Sequence, residues 1–254
     1  MLAYSAALLV PIVMLAFLPS LGRAAEKQKI ETSMQRFSVR LGSSRVIYNP
    51  SSTGETLTVT NPQNYPILVQ SQVFANDMKT KAPFIVTPPL FRLDGQQQSR
   101  LLIVRTGDVG LKDRESLQWL CVKGIPPKAD DVWTKDQNGK AVVEKKVSVN
   151  VQVSIDNCIK LIVRPENIQG QSGDVASSLI WHRQGNQIKG INNTPFYMNL
   201  ASLKVGGIDI HNIHYIPPFS SYIFNLPSGL VGNNVSWTVI NDYGGESKVY
   251  QADM

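Results

Sequence analysis

The sequence predicts an all-β chain of two sandwich domains, and three observations carry that expectation. Short alternations of apolar and polar residues recur along most of the 254 residues, punctuated by N-P, P-P and glycine-containing turns. Helical periodicity is nearly absent. The run of strands is interrupted at Arg164-Pro165-Glu166-Asn167, after which the pattern restarts for about 85 residues, enough for a smaller second sandwich.

The chain opens M-L-A-Y-S-A-A-L-L-V-P-I-V-M-L-A-F-L-P-S-L-G-R-A-A. Its apolar core, from Ala6 to Leu18, is too short and too proline-broken to span a bilayer. Small residues at Gly22-Arg23-Ala24 or Ala24-Ala25 then precede the charged E-K-Q-K. That pattern predicts a signal peptide over residues 1–25 and export of a soluble protein, although no Lys or Arg precedes the apolar core. Domains are expected over 26–165 and 166–254, and no later segment is long and apolar enough to cross a membrane.

In the first domain, strands are expected over 33–41, 45–48, 56–60, 67–74, 84–87, 91–93, 99–104, 116–123, 147–155 and 159–163. So many short strands between turn signals argue a Greek-key sandwich. In the second, they are expected over 177–183, 188–192, 197–205, 221–225, 235–240 and 246–251. No sequence repeat relates the halves. Between two strong strands, 128–146 is polar and rich in Asp, Asn and Gly, the composition of a long loop.

The clearest strand is V-S-V-N-V-Q-V-S-I-D. Val147, Val149, Val151, Val153 and Ile155 fall on one face, and only polar residues fall on the other. Two readings share this pattern. Either the aliphatic row faces its own sandwich, or it lies at an edge and is covered by another protein, because an open apolar edge is otherwise an aggregation site. A free protein with such an edge hides it under the 128–146 loop or by self-association.

The two cysteines, Cys121 and Cys158, lie beyond the signal, and an even pair in an exported protein is most simply one disulfide. The formal charge of +6 suits an acidic partner, but no basic run with interleaved aromatics points to nucleic acid. Patterns for a serine nucleophile, a zinc protease, a dithiol or a phosphate loop are absent, so nothing supports an enzyme or a cofactor. His211 and His214 form an H-x-x-H without a third ligand nearby, which reads as a loop pair and not a metal site. Asn192-Asn193-Thr194 and Asn234-Val235-Ser236 match the glycosylation pattern, which is common by chance. Two cations sit in apolar runs: Arg45 before V-I-Y, and Lys160 between Ile159 and Leu161. Each alone reads as a snorkelling surface residue. Brought together, they would form a site for one carboxylate, Arg offering a planar fork and Lys a point charge.

The segments G-S-S-R-V-I-Y (42–48), T-P-P-L-F-R-L-D (87–94), S-L-Q-W-L-C-V-K-G-I-P-P (116–127), N-C-I-K-L-I-V-R-P (157–165) and T-P-F-Y-M-N (194–199) resemble the periplasmic chaperones of the fimbrial chaperone–usher pathway. Order and spacing agree over nearly the whole mature chain. The cysteine pair and long insertion resemble the long-loop subfamily, which serves thin fibrillar or capsule-like adhesins. The resemblance implies two immunoglobulin-like domains in an L shape, acting on a fimbrial or fibrillar adhesin subunit and an outer-membrane usher, with no cofactor. It implies that Arg45 and Lys160 grip a subunit's C-terminal carboxylate, and that Val147 to Ile155 is the strand donated to the subunit. The alternative is an immunoglobulin-like fibre subunit or adhesin, which should lack the paired cations and carry its own N-terminal donor extension.

Overall fold

Alternating β-branched and polar residues make nearly every element a strand. The computed structural model describes residues 33–127, 131, 133 and 150–254, and these form two β-sandwiches. The signal segment, most of the 128–146 insertion, Val147 and Val149 lie outside the described residues.

The first sandwich runs β1 Ser33–Phe37, β2 Arg40–Leu41, β3 Arg45–Tyr48, β4 Glu55–Thr60, β5 Ile67–Ala75, β6 Phe84–Thr87, β7 Leu90–Leu93, β8 Gln98–Arg105, β9 Ser116–Ile125, β10 Asn150–Ser154 and β11 Asp156–Val163. One sheet is ordered β2-β4-β8-β6 and the other β3-β11-β9-β5-β7. Between them Leu57, Val59, Leu101 and Ile103 meet Val69, Val73, Leu120, Leu161 and Val163. At about 25 cal/mol per Å² of apolar surface removed from water, this layer is the main source of stability.

The expected strand over 33–41 is broken in two because the chain changes partner. β1 pairs in parallel with β10, β2 pairs with β4 in one sheet, and β3 pairs in parallel with β11 in the other. The carbonyls freed at the break are taken by side chains. Gln63 Nε2 donates to Ser38 O at 3.0 Å, and Asn157 Nδ2 donates to Val39 O at 2.6 Å. Gly42 then passes so close to Thr58 that an added Cβ would lie 3.1 Å from the threonine's own. β10 and β11 are separated only by Ile155, whose N–H donates to Phe37 O at 3.0 Å.

The second sandwich begins with a short helix, α1 Ser172–Val175, and a 3-10 turn, Ala176–Ser178. It continues with β12 Ile180–Gln184, β13 Gln187–Asn192, β14 Met198–Val205, β15 Ile208–Asp209, β16 Tyr215–Ile216, β17 Ser220–Asn225, β18 Asn234–Val239 and β19 Tyr250–Asp253. The sheet β12-β13-β17 packs on β15-β14-β18-β19 around Trp181, Ile188, Met198, Leu203, Phe224 and Trp237. The strand expected over 177–183 starts later, because 176–178 turns so that the Ala176 carbonyl accepts from Trp237 Nε1 at 3.1 Å. The last strand is shifted to Tyr250–Asp253, leaving an isolated bridge at Ile240 and Glu246.

One device recurs in both domains. Asn61, at the turn between β4 and β5, is fully buried and donates its amide to the carbonyls of Tyr65, Leu93 and Asp94. Asn192, at the turn between β13 and β14, does the same with Phe196, Ile216 and Pro217. The first glycosylation match is therefore a turn lock, its amide consumed inside the protein.

Candidate functional site

β3 and β11 run side by side, and their register makes Lys160 the direct partner of Arg45. Neither cation is a surface residue: Arg45 is 7 % exposed and Lys160 half-buried. Both reach into the second domain. Arg45 Nη1 donates to the Ile240 carbonyl at 3.2 Å, and Lys160 Nζ donates to Asn199 Oδ1 at 2.5 Å. Arg45 Nε is buried with no hydrogen-bond partner among the described residues. The Lys160 ammonium lies 4.9 Å from the centre of the Tyr215 ring and 6.0 Å from that of Trp119. Such ring contacts offset part of the cost of desolvating a cation.

The electrostatics follow from this crowding. Burial, helped by the neighbouring guanidinium, pushes Lys160 down to about 8. Burial likewise lowers Arg45, against the pull of Asp242 and Glu115. Two adjacent desolvated cations, one with an unused donor, are arranged for an anion. A carboxylate matches the fork and the point charge together.

A second charged group fixes the angle at which the domains meet. Arg164, just past β11, donates Nε to Glu115 Oε1 at 2.7 Å and forks onto Asp242 with two bonds of 2.7 Å. Glu115 Oε2 accepts from the Tyr197 N–H at 2.7 Å, and its side chain is 1 % exposed. Tyr215 Oη donates to Asn76 Oδ1 at 3.1 Å, adding a tie from the other side of the cleft. Sequence reasoning assigned no role to Glu115, Arg164, Asn199, Tyr215 or Asp242. Their partners are distant in the chain, so no local spacing reveals them. Asn199 did stand in the family-like segment T-P-F-Y-M-N, without a function attached.

Of the expected donor strand, the described part is β10 and Ile155. In β10 Val153 is 37 % exposed, and Ile155 just beyond it is half-buried. Met34 and Arg36 of β1 are the register partners of Val151 and Val153. The sequence reading expected the loop or a second copy to hide this edge; on one side it is β1 that pairs with it. Phe37, buried against Tyr65 with ring centres 5.6 Å apart, pins the end of β1.

Cys121 and Cys158 are directly opposed on β9 and β11 and joined in a disulfide. The bridge spans 37 residues, and closing such a loop disfavours the unfolded chain by roughly 3.5–4 kcal/mol in the entropy model. His214 stacks on Tyr222 with ring centres 4.9 Å apart, so it packs as an aromatic residue. Among the described residues no cluster of three His, Cys, Asp or Glu could hold a metal ion.

Two adjacent cations, one buried and one half-buried, in the cleft between two sandwiches, with the partly exposed end of β10 beside β1, are what the described residues present. Comparison with known proteins supplies the family. Residues 38–169 match the pili and flagellar-assembly chaperone PapD N-terminal domain, and residues 174–251 match the pili assembly chaperone PapD C-terminal domain. The chain is 51 % identical over 228 residues to chaperone protein AggD of Escherichia coli, covering 89 % of each. It is similar to the crystal structure of the E. coli chaperone DraB, with 55 % identity, a TM-score of 0.76, and coverage of 88 % of this chain and 100 % of that one. It is also similar to a Salmonella enterica structure of SafA pilin in complex with the SafB chaperone, with 46 % identity, a TM-score of 0.77, and coverage of 88 % and 99 %. The chain belongs to the PapD-like family of pilus-assembly chaperones. It is a periplasmic chaperone and not an enzyme.

Proposed function

We propose that this chaperone captures a pilin-type fibre subunit at two linked places and delivers it to an outer-membrane usher. Arg45 and Lys160 hold the subunit's C-terminal carboxylate, and the row Val147, Val149, Val151, Val153 and Ile155 fills the subunit's open apolar groove as a donated strand. The observation that carries this reading is the direct pairing of Arg45 with Lys160, with Arg45 Nε buried and unused. The SafB structure holds its chaperone with a pilin, which supports a partner of this kind.

The energetics divide the work. Each aliphatic side chain fully buried in the groove contributes roughly 1.5–2 kcal/mol, an upper bound before ordering costs. Backbone pairing and the apolar–polar alternation exclude a one-residue slip but leave two-residue slips nearly equivalent, because every second residue is aliphatic. The carboxylate supplies the remaining choice: anchored beside β11, it fixes which valine meets which pocket. The insertion 128–146, framed by the Cys121–Cys158 bridge, supports assignment to the long-loop subfamily serving thin fibrillar adhesins. Residues 1–25 are read as the cleaved export signal.

Arg45→Ala and Lys160→Ala are each expected to give a folded, exported protein that no longer captures subunit. The double variant should be little worse than either, since both serve one carboxylate. Co-purification of subunit from periplasmic extracts measures this, and normal subunit yield with both single variants defeats the reading.

A further inference from the structure

The two cleft cations do not merely neighbour each other on the first domain. They are tied to one spot on the second. Lys160 Nζ donates to Asn199 Oδ1, and Arg45 Nη1 donates to the Ile240 carbonyl. Asn199 and Ile240 are themselves joined, the Ile240 N–H donating to the Asn199 carbonyl at 2.7 Å. A closed path therefore runs from one cation to the other through the second domain. Asn199 is 2 % exposed on β14, opposite Tyr215, whose ring lies under the same ammonium. Its Nδ2 donates to the Tyr197 carbonyl at 3.3 Å, which turns the amide so that its oxygen faces the lysine. The reverse orientation would set an amide N–H₂ against an ammonium and leave both donors unmet.

The carboxylates nearby are occupied. Glu115 and Asp242 are both engaged by Arg164, and among the described residues no carboxylate pairs with Lys160. What holds the ammonium is a neutral acceptor in a place where an acid of the same shape would fit.

We propose that Asn199 is a positioning residue of the carboxylate anchor: a neutral acceptor on the second domain that aims the Lys160 ammonium into the cleft without supplying the counter-charge the subunit must bring. This rests on the Arg45–Lys160 reading above and adds the second domain's part in it. An aspartate at 199 would form the ion pair within the chaperone and leave the incoming carboxylate a neutralised site. An alanine would leave the ammonium charged but unheld, in a desolvated pocket beside another cation.

The two substitutions therefore make opposite predictions on a readout that needs no partner. In the full mature chain with ¹³C-labelled lysine, the Lys160 ε-carbon is titrated by NMR. Relative to the wild type, Asn199→Asp should move its midpoint up, and Asn199→Ala should move it down. A role confined to packing moves neither, or both alike, and either of those results overturns the proposal. Should one variant fail to fold, the direction found with the other decides.

Binding supplies the second arm. The probe is a synthetic apolar–polar alternating peptide with a free C-terminal carboxylate, compared with its C-terminal amide. Asn199→Asp should reduce the preference for the free acid about tenfold or more. If the wild type and Arg45→Ala both bind acid and amide equally, the carboxylate anchor itself is wrong. If the wild type prefers the acid and Asn199→Asp keeps that preference in full, the anchor stands and the role of Asn199 does not.

Discussion

Lys160 carries a charge its surroundings disfavour, so under the proposed anchor its protonation becomes a measurable part of subunit capture. Burial and Arg45 bring it down to about 8, so the free protein loses this cation just above physiological pH. Capture of a carboxylate needs the ammonium, so affinity for an acid-ended peptide should fall about fivefold between pH 8 and 9 and about tenfold for the next unit. The Lys160→Ala variant should show no such fall. Stability has the opposite sign. The folded lysine releases its proton at about 8 and the unfolded one at 10.5, so the unfolded chain binds more protons in that window, and stability rises with pH across it. Titration calorimetry from pH 7 to 9.5 checks the binding claim, and a flat profile for the wild type refutes it. At this scale the sequence was half legible. Arg45 and Lys160 stand out as cations in apolar runs, but Asn199 and the Ile240 carbonyl carry no local sign of their role. Asn192 matches the glycosylation pattern Asn-x-Thr, which carries no information about burial. The better signal was its twin: Asn61 and Asn192 each stand four residues before an aromatic, Tyr65 and Phe196, whose carbonyl each caps.

Among elements, strands that begin and end on clear punctuation were readable from the chain. Arg45–Tyr48 and Phe84–Thr87 lie where alternation and turn residues put them. The misses have one cause, tertiary partners overriding a local pattern. The alternation of Phe37, Val39 and Leu41 with Ser38 and Arg40 runs across the break at 38–39, yet the chain must leave β10, cross to β4 and return to β11, and only long-range pairing dictates those breaks. The parallel pairing of β1 with β10 was invisible for the same reason, since nothing local links segments separated by most of a domain. That pairing sharpens the test of the valine row. Val153 is exposed in the free protein, so Val151→Asn with Val153→Asn should leave the melting temperature nearly unchanged while subunit capture collapses. If these valines filled the protein's own core, each new amide would be buried without partners, and the melting temperature would drop sharply. Thermal unfolding and a pull-down on the same double variant separate the two cases.

At the scale of the whole molecule, the cleft lies between two sandwiches joined by several side chains, and Arg164 carries the charged tie among them. Its guanidinium joins Glu115 of the first domain to Asp242 of the second and lies 5.2 Å from the centre of the Phe196 ring. Burial pushes the Glu115 carboxyl up even with Arg164 beside it, so that carboxylate depends on its cation. Removing one partner of a buried ion pair typically costs about 3–5 kcal/mol, because the other charge is stranded. Arg164→Ala should therefore lower stability by about that much at pH 8. The sign of the pH dependence follows from Glu115. Its folded-state pKa is raised and should rise further without Arg164, so the cost is relieved when the carboxyl is protonated and grows as pH climbs through that value. The variant should thus lie closer to the wild type near pH 5 than near pH 8 in denaturant unfolding. Capture should suffer too. Glu115 and Asp242 already act electrostatically on Arg45, and once freed from Arg164 they would compete with the subunit's carboxylate for it. Arg164→Ala with Glu115→Gln removes the more buried of the two stranded charges and should recover part of the stability while leaving the domains less firmly joined. Equal stability losses for Arg164→Ala at pH 5 and pH 8 would show that the Glu115 charge is not what the arginine holds in place.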